Sequence, residues 1–262
     1  MRKLFLLTRL NLINSLIERA DMLLYTLSSC AAPLIILFVW LSFTPPGQTS
    51  VYSRDQLIWY FILAIFVKLF ASAWGSPFLA ARIRRGAISP FLIQPIPYIF
   101  HWISNNIAEK IVRLIMITPF LFILVSLFHI TPLQVSLSSV TTSIVSLLMA
   151  AALFFLFDIA IGLLSFWLDE TTSIGDAYGL LSSLFSGVLI PLIALPQSVR
   201  NISYFLPFRY TLSLPIEIAL GQISGWQIYL DLGVQLVWLV IIGYLCRYLW
   251  LHGLKVYSAS GA

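Results

Sequence analysis

Six windows of this chain, 22–43, 57–81, 103–128, 140–168, 177–195 and 229–250, are long and apolar enough to cross a bilayer. A hydrocarbon core needs about 20 apolar residues in helical form. Inside lipid the backbone must satisfy its own hydrogen bonds, so each window reads as a helix rather than a strand. The composition supports this. The chain is 60% hydrophobic and 10% charged over 262 residues, whereas soluble domains carry about 25% charged residues. The fold class that follows is all-α: a polytopic membrane protein with six transmembrane helices. Pro33, Pro119 and Pro191 fall inside the windows, where packed neighbours can absorb the kinks they imply.

The net charge of +5 reports topology rather than nucleic acid, because the basic residues lie between spans. Arg2, Lys3, Arg9, Arg19, Arg82, Arg84, Arg85, Lys110, Arg113, Arg247 and Lys255 fall on one side, and Arg54, Arg200 and Arg209 on the other. That asymmetry puts both termini in the cytoplasm of a plasma (inner) membrane protein. At the start, Arg9 interrupts the apolar run that follows Arg2 and Lys3. A cleavable signal needs an unbroken run of roughly 7–15 residues, so no cleavage is expected.

The segments between spans carry more information. Residues 1–21 place Leu6, Leu10, Ile13 and Ile17 on one helical face, with Thr8, Asn11 and Ser15 opposite, as in a helix lying in the membrane interface. The 44–56 loop is rich in turn residues. Residues 82–97 read "RIRRGAISPFLIQPIP", too short and broken to span and too apolar for a solvated loop. Residues 205–221, interrupted by Pro207 and Pro215, read as short re-entrant helices in the outer leaflet.

Candidate chemistry is sparse. There is no G-x-x-x-x-G-K-[ST] loop to cradle phosphates, so nucleotide hydrolysis is not expected of this chain. No H-E-x-x-H, G-x-S-x-G or Cys/His metal spacing is present, and neither enzyme activity nor a cofactor is expected. Cys30 and Cys246 read as buried small hydrophobes. Asp169 and Glu170 read as a solvated acidic turn rather than a catalytic pair. Lys68 and Asp158 fall near the middle of their windows. An unpaired charge there is costly, so the two are expected to pair, or to mark a polar pathway in an ion-driven carrier or channel. Gly175, Gly179, Ser183 and Gly187 recur every four residues, a spacing that lets helices approach closely within or between subunits.

Four stretches in this order resemble one family: "ERADMLLY" (18–25), "RRGAISPFLIQPIPYIFHWISNNIAEK" (84–110), "FWLDETTSIGDAYGLLSSLFSGVLIPL" (166–192) and "LPFRYTLSLPIEIALGQIS" (206–224). The chain is similar to the membrane subunits of ABC-2 type transporters, the small six-span permeases whose ATPase is a separate polypeptide. The resemblance implies one permease domain over 1–262. Residues 1–21 would be its connecting helix, 82–106 its cytoplasmic coupling segment and 205–221 its outer helices. It implies pairing with a second permease, identical or related, and with cytoplasmic ABC ATPase subunits. Arg84, Arg85, Phe91, Leu92 and Ile93 would dock on the ATPase, and Gly179, Ser183 and Gly187 would pack at the subunit contact. Membrane lipid completes the expected partners.

Overall fold

The computed structural model describes residues 2–43, 52–133 and 135–257. Most of the turn-rich 44–56 loop and the "SASGA" tail lie outside the described residues. Every regular element among those described is helical. Helix α1 (Arg2–Ile17) leads into α2 (Arg19–Phe43). α3 (Arg54–Ala71) and α4 (Ser76–Arg84) follow. A one-turn α5 (Ser89–Leu92) precedes the long helices α6 (Ile99–Phe128) and α7 (Leu137–Leu163). α8 (Thr172–Phe185), α9 (Gln197–Phe205) and α10 (Ser213–Ala219) are short, and α11 (Trp226–Val256) closes the fold.

Five candidate spans are present among the described residues: Arg19–Phe43, Arg54–Arg84, Ile99–Phe128, Leu137–Phe166 and Trp226–Val256. The sixth window, 177–195, is not one long helix. α8 stops at Phe185 after 14 residues, about 21 Å at 1.5 Å per residue. Pro191 sits beyond it in non-helical chain. By contrast α2 and α6 run uninterrupted through Pro33 and Pro119.

Helix ends follow local chemistry. Ser53 opens α3 with a capping box: its hydroxyl accepts from Gln56 N–H, and the Gln56 side chain accepts from Ser53 N–H. Ser136 caps α7 by accepting from Ser139 N–H. His129 ends α6 at φ 49°.

Apolar packing forms two centres. One gathers Leu57, Phe61 and Ile65 of α3 with Leu37 of α2 and Ile117 of α6. The other joins Leu79 and Ile83 of α4 to Leu153 and Leu163 of α7, Ile218 of α10 and Ile242 of α11. The α3–α4 span is therefore the common element of both. α1 lies along α6, held by the Asn11 side chain donating to Ser104 Oγ at 2.9 Å. Ser15 on that face is buried, while Leu6, Leu10, Ile13 and Ile17 are exposed. In lipid this is the favourable arrangement: the polar face meets protein and the apolar face meets acyl chains.

Candidate functional site

The second span is broken, and two buried charges close the break. Its window contains Gly75, Ser76 and Pro77. Proline lacks an N–H and clashes with the carbonyl four residues earlier, so it suits the first turn of a helix rather than its interior. α3 accordingly ends at Ala71, Ser72 turns out at φ −54° and ψ 143°, and α4 restarts with Pro77 in its first turn. A break inside a membrane exposes backbone groups that water cannot reach.

Those groups are met from neighbouring helices. Lys110 of α6 donates to the Ala71 and Ser72 carbonyls at 3.1 and 3.3 Å. Arg113 donates to Ser72 Oγ at 2.8 Å and pairs with Glu109 at 2.8 Å. On the other lip, the Asp158 carboxylate of α7 accepts from Gly75 N–H at 2.6 Å and from Ser76 N–H at 3.1 Å. A cation thus sits at a helix C-terminus and an anion at a helix N-terminus, as the helix dipoles favour. Lys110, Arg113 and Asp158 are all buried. Gly75 is required by close approach, since a Cβ would come within 2.9 Å of the Trp102 ring and 3.1 Å of Asp158 Oδ2.

This arrangement corrects the expected Lys68–Asp158 pair. Among the described residues Lys68 forms no ion pair, and Asp158 serves the N–H groups that Pro77 and Gly75 set free. The signal was in the sequence: Gly75-Ser76-Pro77 lies inside an otherwise apolar window, with Lys110 and Arg113 in the next.

α4 carries the 82–97 segment. Leu79, Ala80 and Ile83 are buried, and α4 lies along α7. The Arg84 guanidinium donates to the Asp169 carbonyl. Gly86, at φ 68°, turns the chain out of α4. α5 then exposes Leu92 and Ile93, the latter 87% accessible. Phe91 behaves differently from its expected role. Its ring lies 5.2 Å from those of Tyr98 and His101, with the Arg82 guanidinium 5.2 Å above it. The expected three-residue apolar knob is thus Leu92 and Ile93, with Phe91 as its inward anchor. Arg85 is exposed beside it. Both ends of the chain reach this segment. Lys3 donates to the Pro95 carbonyl at 3.1 Å, and Ser89 Oγ lies 2.9 Å from the Tyr257 hydroxyl.

The small-residue stripe is shorter than its spacing implies. Gly175, Gly179 and Ser183 lie on α8, whose residues are nowhere buried. A Cβ at Gly179 would meet nothing within 4 Å. Gly187 lies beyond the helix end at φ 89° and faces inward. Its carbonyl accepts from the Tyr60 hydroxyl at 2.7 Å, and a Cβ there would collide with Ser213 Oγ and the Tyr60 oxygen. Gly187→Ala is expected to destabilise the protein by about 1–3 kcal/mol from backbone strain alone. Thermal unfolding of the purified protein reads this, and an unchanged midpoint would show that the backbone at 187 relaxes to accept a side chain and that Ser213 and Tyr60 give way. Between α7 and α8, hydrogen bonds from the side chain and backbone of Thr172 hold the exposed Glu170 carboxyl below its usual range.

The far end of the molecule is locked by a charge network that the sequence did not single out. Arg209 is 3% exposed. It donates to Glu217 of α10 at 2.7 and 3.2 Å and to Asp231 of α11 at 3.1 and 3.2 Å. The Tyr204 ring lies 4.1 Å from its guanidinium carbon. The Gln235 side chain of α11 donates to the Ser146 and Tyr210 carbonyls at 3.0 and 2.9 Å. α10 is buried from Ser213 to Ile218, so the broken 205–221 stretch folds into the bundle instead of over it. Only the combination of Arg209, Glu217 and Asp231 in apolar surroundings hinted at this.

A family model described as ABC-2 family transporter protein matches residues 27–261, which takes in every element from α2 onward apart from the first turns of α2 itself. No curated protein matches the chain.

Proposed function

The chain belongs to the ABC-2 family of membrane transporters, and on that premise we propose that it is the permease subunit of an ATP-driven exporter. Two permeases form the pathway, and the ATPase is a separate chain. The observation that carries this reading is the exposed Leu92–Ile93 tip, flanked by Arg84 and Arg85, at the end of the molecule where both termini meet. Such a tip on a basic rim suits a groove on a partner. It has no use in a permease that works alone. That end faces the cytoplasm of the inner membrane, in keeping with its excess of Lys and Arg. The open face of α8, with Gly179 and Ser183, suits the second permease.

Nucleotide can drive transport only through its different affinity for two arrangements of the complex. The segment that contacts the ATPase must therefore move relative to the spans. α4 and α5 are joined through Arg82 over the Phe91 ring, and the break at 72–75 joins that unit to α3 through a few non-helical residues. A push on Leu92 and Ile93 reaches α7 and α11 through α4, while α3 keeps its packing against α2 and α6. An ion-driven carrier built on Lys68 and Asp158 gains no support, because the Asp158 carboxylate is already engaged by backbone.

The test is purification from native membranes. The wild-type chain is expected to bring down a nucleotide-binding subunit. Leu92→Asp and Ile93→Asp are expected to lose it, each by about 30-fold or more in affinity, as for a hot-spot residue, without a change in thermal stability. Ion-gradient-driven flux by the lone protein in liposomes would overturn the reading.

A further inference from the structure

Where the 91–99 segment, α7 and α11 meet, they line a half-open cavity of about 680 Å³. α7 contributes Leu156, Ile159 and Leu163 to its wall, and α11 contributes Gly243 and Trp250. This size lies within the roughly 300–1,000 Å³ of ligand sites. Its lining is mostly apolar, with Gln94 and Arg247 at its exposed rim.

Arg247 is the one charged lining residue, is exposed, and has no ion pair among the described residues. A second guanidinium, Arg82, lies 5.7 Å from the Trp102 ring. The occupant that fits is apolar along its length and anionic at the end where Arg247 lies.

We propose that this cavity binds an anionic phospholipid. One acyl chain fills the apolar interior, and the phosphate pairs with Arg247. The lipid reaches it from the leaflet beside the basic end of the molecule, where Arg82, Arg84, Arg85 and Arg247 gather. The site requires a bilayer and does not depend on which energy source drives transport.

The protein, purified with whatever subunits accompany it, is mixed with palmitoyl-oleoyl phosphatidylglycerol or phosphatidylcholine. Retained lipid is then counted by native mass spectrometry. One phosphatidylglycerol per chain is expected, favoured over phosphatidylcholine by about fivefold, the worth of one basic contact. Arg247→Gln should bring the two lipids to parity. Gly243→Leu, which places a side chain in the cavity, should expel both. Should that variant fold poorly, alkylation of the lining thiol Cys246 in a Cys30→Ala background gives a second readout, and phosphatidylglycerol should slow it more than phosphatidylcholine does. Equal retention of the two lipids by the wild type overturns the proposal, as does undiminished binding to Gly243→Leu. So does protection of Cys246 by inorganic phosphate alone, or loss of an associated protein instead of lipid in Gly243→Leu.

Discussion

Arg209→Ala is expected to lower the stability of the folded protein by about 3–5 kcal/mol, the usual result of removing one partner from a buried ion network. The loss exceeds that of an ordinary hydrogen bond because of what stays behind. Glu217 is 6% exposed and Asp231 6% exposed, and without the guanidinium two carboxylates share a site that water barely reaches. Lysine is a poor substitute. The guanidinium binds both carboxylates at once, with Nε on Glu217, Nη1 on Asp231 and Nη2 shared between them, and an ammonium cannot reproduce that fork. The triple variant Arg209→Leu, Glu217→Met, Asp231→Leu should recover much of the stability, since a packed apolar replacement removes the desolvation cost with the attraction. Thermal unfolding of the three proteins in one detergent gives the comparison. If the single variant melts with the wild type, the network contributes little to holding α10 against α11.

Asp158→Ala should be the most damaging change within the spans. It leaves the half-buried Gly75 and Ser76 N–H groups without their carboxylate acceptor. Hydrogen bonds to a charged acceptor contribute about 1.5–3 kcal/mol each. The loss should appear as a lower unfolding midpoint and, under the proposed ATP-driven function, as weaker coupling between nucleotide hydrolysis and transport, because the α4 unit loses its fixed hinge. Lys68→Met should be mild by comparison. Lys68 and Asp158 are expected to behave additively, within about 0.5 kcal/mol in a double-mutant cycle. A large coupling energy between them would restore the pair that their depth in the sequence suggested.

That pair shows where reading residues in order fails. Depth along a window told correctly that Asp158 is buried and needs a partner. It could not tell that the partner is backbone, because the free N–H groups exist only once the second span breaks. The break itself was legible in Gly75-Ser76-Pro77, but an apolar average over 57–81 hides three residues. The small-residue stripe failed for a related reason. Spacing of four implies one face only while the helix continues, and α8 ends two residues before Gly187. Phe91 illustrates a third limit. Hydrophobicity marked it for a contact without saying that Tyr98, His101 and Arg82 would supply one from inside.

The sequence by itself determined that the chain is helical and membrane-embedded, and the order of its elements with the family that order resembles. These follow from one-dimensional quantities: the length of apolar runs, the backbone's need to bond itself in lipid, and the positions of prolines. The tertiary structure alone decided which charges meet. Lys110 and Asp158 at the two lips of the broken span, and Arg209 between Glu217 and Asp231, are brought together by helices far apart in sequence. A buried charge costs so much that it must find a partner, but that cost does not depend on sequence distance, so only the packing of the helices selects the partner.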